Sequence, residues 1–183
     1  MRNIVRICSA LALAGLLTAC ASKTTTEEEE GIVDIFAPKP FHETSVPLPA
    51  PPVDQNAIPF YVGQSTLKFA IDPKSVSIGS DDVVRYTVII TSQSGARNVS
   101  FEGIRCQTKE RKLYATLRIS DNTWTRNMSK DEDGWQVMNS LAANSYGRAL
   151  ANDYFCDGRT VAGSAEALVQ RMRNEGFRKP LTY

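Results

Sequence analysis

Few side chains in this chain could do chemistry, and few of those are grouped. There is one histidine, His42. Nucleophilic catalysis through serine or cysteine needs an imidazole within hydrogen-bond reach of the nucleophile. His42 is badly placed for that, inside a proline-rich stretch running from Pro38 to Pro59. Zinc sites with histidine ligands are disfavoured for the same reason, and neither a metal nor a cofactor is expected. No glycine-rich phosphate loop is visible; Gly95 reads as a turn and Gly103 as a strand irregularity. Carboxylates remain. Glu102, Asp153 and Asp157 lie close in sequence to Cys106 and Cys156. A disulfide there would gather them, as glycosidase-type acid–base work requires. The plainer reading is preferred: Asp153 and Asp157 cap helix ends, and Glu102 faces solvent or pairs with Arg105 or Arg118.

Binding is the other chemistry. Most aromatic side chains belong to a core, but Trp124 follows the polar run 120–123 and is expected at a surface. Arg97, Arg105, Arg111, Lys112, Arg118 and Arg126 are spread over expected strands and turns. They could form a basic face for an anionic glycan or a protein partner; a solvated, self-paired set is the plainer alternative. Trp124, Arg111 and Arg118 are the binding candidates.

The N-terminus sets the compartment. Arg2 and Arg6 precede a small, apolar run from Ile7 to Leu17. The run is shorter than the about 20 residues a membrane-spanning helix needs, so residues 1–19 read as a secretory signal. It ends in Leu17-Thr18-Ala19-Cys20, which resembles the lipobox of bacterial lipoproteins. That resemblance implies a diacylglyceryl group on the Cys20 thiol, cleavage before it and acylation of the new amine. The alternative is an ordinary signal with a cysteine by chance. Two or more acyl chains anchor a protein stably. Ala21 and Ser22 lack the aspartate that retains many such proteins at the inner membrane, so the expectation is the outer membrane, on its periplasmic side.

Cleavage removes Arg2 and Arg6, which takes Lys plus Arg from 21 to 19 against 20 Asp plus Glu. A net charge of −1 argues against nucleic acid as a partner. Of four cysteines, Cys8 leaves with the signal and Cys20 takes the lipid. Cys106 and Cys156 remain, an even pair in an oxidising compartment. A structural disulfide is preferred over two free thiols or a redox pair, since neither cysteine has a C-x-x-C partner. A closed loop of this size stabilises by about 4 kcal/mol in the chain-entropy treatment.

Residues 20–56 read as a lipid-anchored tether. Polar low complexity at 24–30 cannot bury a core, and seven of the nine prolines fall within residues 38–59. Such density favours extended polyproline II. The apolar group Ile32, Val33, Ile35 and Phe36 either docks somewhere or rides in a solvated spacer, the latter preferred.

A globular domain is expected over 57–178, with a tail at 179–183. Residues 67–71 alternate as a half-buried strand does, and Asp72-Pro73 is expected to break it before a second short run at 76–78. The cluster 79–82 is a turn. Val83–Thr91 is rich in Val, Ile, Tyr and Thr and apolar on both faces, so it is expected as a central strand. A turn at 92–96, a strand at 98–107, a charged turn at 109–112 and an alternating strand at 113–119 complete an antiparallel meander. Beyond Trp124 the period changes. Apolar residues three and four apart predict one helix over 135–153 and another from an N-cap at Ser164 to a stop at Gly176. Strands followed by helices make an α+β domain.

The segments NAIPFYVG (56–63), FAIDPKSVSIGSDDVVRYTV (69–88), SGARNVSFEGIRC (94–106), KLYA (112–115) and DYFCDG (153–158) resemble the cryptic neisserial protein 1-like family, uncharacterised proteins of proteobacterial envelopes. The resemblance covers roughly residues 47–175. It implies a Gram-negative envelope protein and brings no activity or site residues with it. The reading is therefore a lipid-anchored envelope protein that binds or assembles with an envelope protein or glycan. The alternative is a carboxylate-dependent periplasmic hydrolase of an envelope glycan.

Overall fold

A computed structural model describes residues 41–45, 47–63, 65–128, 134–138 and 146–175. The expected signal, Cys20 and the tail at 179–183 lie outside the described residues.

Among the described residues, nine strands and two helices follow one another. They are β1 (Ile58–Phe60), β2 (Lys68–Ile78), β3 (Val83–Thr91), β4 (Arg97–Arg105), β5 (Glu110–Arg118), β6 (Thr123–Arg126), β7 (Trp135–Val137), α1 (Tyr146–Ala149, continued by a π-helical turn, Leu150–Phe155), β8 (Cys156–Asp157), β9 (Thr160–Val161) and α2 (Ala165–Glu175). Each of β2 to β6 pairs antiparallel with the one before it. β7 takes the other half of the same edge, pairing with Glu110 to Lys112 of β5. β8 and β9 form a separate hairpin. The domain is an antiparallel meander followed by two helices, the α+β class expected.

Because successive side chains of a strand point to opposite faces, β3 divides the core in two. Val84, Tyr86 and Val88 join Phe69, Ile71 and Ile104 under the helices, against Leu150, Phe155, Leu168 and Met172. Fully burying each such side chain is worth about 1.5–3 kcal/mol. Ile89 looks the other way, into a smaller group with Val99, Leu117 and Trp124. Cys106, just past β4, is disulfide-bonded to Cys156 at the exit of the π turn, so the bridge ties the helical layer to the sheet as expected. Ser164 starts α2: its Oγ accepts the Ala167 N–H at 3.3 Å.

Four local expectations are corrected. Asp72-Pro73 does not end a strand. β2 runs through it, because the ladder to β3 shifts register between Asp72 and Ser77 and a residue without an N–H is tolerated in that gap. Ser75 closes the gap with its side chain: Oγ donates to the Asp72 carbonyl and accepts the Thr87 N–H, both at 2.7 Å. The charged run 109–112 is mostly strand, since β5 begins at Glu110. Trp135 to Val137 is strand rather than helix; a free edge on β5 offers backbone partners that outweigh the helical spacing. Among the described residues the helix of this region is only Tyr146–Ala149 and its π turn.

The fourth correction concerns the expected tether. Its described part, from Phe41 onward, lies on the sheet face that the helices leave open. Trp124 donates Nε1–H to the Pro49 carbonyl at 2.8 Å, Arg97 pairs with Asp54 at 2.5 Å, and Ala57 packs on the smaller core. This segment is a strap across the sheet.

Candidate functional site

Glu102 is buried, 2% exposed, and neither faces solvent nor meets Arg105 or Arg118. It lies under the helical layer opposite Tyr86. Its Oε2 accepts from Tyr86 at 3.0 Å and Arg111 Nη1 at 3.3 Å. Its Oε1 accepts from Ser100 at 2.7 Å and Tyr146 at 2.6 Å. Arg111 also donates to the Tyr146 hydroxyl. Burial, then the Glu102 charge, pushes the Tyr86 and Tyr146 phenols up. A carboxylate saturated by four donors has no lone pair left for acid–base work. Asp153 and Asp157 are exposed, and no hydrogen bond or ion pair joins either to Glu102. The carboxylate group that the hydrolase reading needs is not assembled among the described residues. No cluster of three or more potential metal ligands occurs among them either.

The binding candidates separate too. Arg111 points into the helical side, where it holds Glu102. Trp124 is half-buried under the strap. Arg118 is exposed at the β5–β6 hairpin and bonds Asp121 at 2.7 Å, whose carboxyl this guanidinium holds at about 2. Arg97 and Arg105 are likewise engaged, by Asp54 and Glu110.

Lys112, next to Arg111, points to the opposite face, and a site forms there. The β2–β3 hairpin supplies its frame. Arg85 is 1% exposed and bonds Asp81 through both ends: Nη1 to Oδ1 at 3.0 Å and Nη2 to Oδ2 at 2.6 Å. Burial opposes ionisation of Asp81, yet the Arg85 guanidinium and the Thr44 N–H hold its carboxyl down at about 2. Gly79 makes the close approach possible. A Cβ there would fall 2.2 Å from Asp81 Oδ1 and 2.6 Å from Arg85 Nη1.

The strap is read by this pair. Thr44 donates its N–H to Asp81 Oδ2 at 2.7 Å, and its carbonyl accepts from Arg85 Nη2 at 3.0 Å. Lys112 Nζ binds the Glu43 carboxylate at 2.6 Å, and Arg85 lies 3.9 Å from its other oxygen. Phe41 lies under the Arg105 guanidinium, 3.8 Å from ring centroid to Cζ, and meets Trp135 edge-on. Beside Glu43 a cavity of about 250 Å³ remains, walled in part by Leu48, Phe101, Tyr114 and Arg126. The Tyr114 hydroxyl is buried without a hydrogen-bond partner among the described residues. It lies over Gly103, where a Cβ would come within 2.7 Å of it. Burial, and then the nearby Glu43, raises this phenol. Arg126 is exposed and has no ion pair among the described residues.

Sequence reasoning missed Arg85, Asp81, Tyr114 and Glu43. One signal was present: Arg85 is a lone charge in a run otherwise apolar on both faces, and a central strand does not bury arginine unpaired.

The model of the CNP1-like family matches residues 36–173, and the chain belongs to that family. Searches of the curated proteins and of the solved structures return no match.

Proposed function

We propose that this CNP1-like protein is a lipid-anchored module of the Gram-negative envelope, attached through Cys20 to the outer membrane. It acts by contact with an envelope protein or glycan on the periplasmic side rather than by catalysis. The observation that carries the reading is the Asp81–Arg85 pair with Lys112, a buried charged frame spent on gripping an extended segment. Burying ions costs several kcal/mol unless each is paired and hydrogen-bonded, so a frame of this kind is built for recognition rather than for a loose spacer. The lipobox-like LTAC supports the anchored placement.

Metabolic labelling with palmitate tests the anchor. The wild-type protein incorporates label and sediments with outer membranes, whereas Cys20→Ser is unlabelled and soluble. Label retained after Cys20→Ser would remove the lipid from this account.

A further inference from the structure

We infer that the groove on the open sheet face is a peptide-binding site, occupied in cis by the strap, whose ligand in trans is an extended acidic segment of a partner protein carrying an aromatic residue two positions before a glutamate. The inference deepens the contact function proposed above and rests on it.

The specification is read from the strap itself. In an extended chain, residues two apart share a side. Phe41 and Glu43 both turn to the sheet, where Arg105 with Trp135 and Lys112 with Arg85 receive them, while His42 is exposed. The next residue is held by its backbone. Asp81 takes the N–H of Thr44 and Arg85 its carbonyl. Main-chain contacts give affinity to any extended peptide, and pockets for alternate side chains give selectivity. A free glycan carboxylate would satisfy Lys112 but would leave Asp81, a buried acceptor, without its N–H donor. That favours a peptide.

The strap does not use the whole site. The cavity beside Glu43 is lined by Arg126, which has no ion pair among the described residues. It offers space and one cation to an acidic ligand larger than the strap. Because the strap is covalently attached, its effective concentration is on the order of millimolar. A partner therefore competes only weakly until the strap is loosened.

Fluorescence anisotropy of a labelled peptide with the sequence of residues 40–50 tests this. It is titrated into the full chain as wild type and as Glu43→Lys, with the fold of each checked by circular dichroism. Glu43→Lys sets like charge against Lys112 and vacates the groove. It should bind the peptide saturably and at least tenfold tighter than the wild type. Adding Lys112→Ala, or replacing the peptide's glutamate by glutamine, should weaken that binding tenfold or more. If Glu43→Lys does not fold, the milder pair Phe41→Ala with Glu43→Gln gives the same read-out. No saturable binding to a folded, strap-weakened variant would overturn the inference. So would binding indifferent to Lys112 and to the glutamate, or equal competition by a glucuronate oligomer. A glycan captured in cells would leave the contact function standing and remove only this peptide specificity.

Discussion

Glu102 and Asp81 both have buried carboxyl groups paired with an arginine, yet they do different work. Glu102 gathers Tyr86, Ser100, Arg111 and Tyr146 beneath the helices. Glu102→Gln keeps the shape but turns an N–H₂ toward groups that are already donors and leaves Arg111 without its counter-charge. We expect a loss of about 2–4 kcal/mol, measured by urea unfolding. Asp81 gives a pH signature. Its carboxyl is held at about 2 when folded, against an ordinary value of 3.8. A depressed value means stability that is complete above about pH 4 and lost as the pH falls toward 2. The contribution is about 1–2 kcal/mol. Unfolding curves from pH 6 to pH 2 should therefore show a steeper acid slope for wild type than for Asp81→Asn. The sequence drew attention to Glu102 but not to its partners. Pairing across β3, β4, β5 and α1 depends on register, which a linear reading does not hold.

The meander was legible at the level of elements because β-rich runs alternate with turn residues, and 79–82 and 92–96 are where the chain reverses. Local signals failed where tertiary partners outweighed them. Pro73 reads as a breaker, but a register shift accommodates it and Ser75 carries the hydrogen bonds across. Ser75→Ala would strand the Thr87 N–H and the Asp72 carbonyl in the interior, a loss of about 1–3 kcal/mol. Thermal unfolding that matches wild type would show that the Ser75 bridge is dispensable. Residues 135–137 carry helical spacing but pair with β5, because an open edge satisfies three residues of backbone. The strap was the largest omission. Its prolines announce an extended chain, but extension says nothing about what the chain lies on.

For the molecule as a whole, the sheet has two covered faces of unlike origin. One is covered by helices and tied by the Cys106–Cys156 bridge. The other is covered by the end of the segment expected to lead from the membrane. On that face Thr44 and Glu43 cover Asp81, Arg85 and Lys112, so under the proposed function a loosened strap would uncover all three.

The most direct measurement is in-cell photo-crosslinking from a probe at Arg126, the exposed cation at the cavity mouth, in wild-type and Cys20→Ser backgrounds, with mass spectrometry of what is captured. A tethered contact module predicts one defined envelope component that is captured by the anchored protein and lost from the unanchored one. Capture of nothing above background, or of the same component whether or not Cys20 is present, would contradict it.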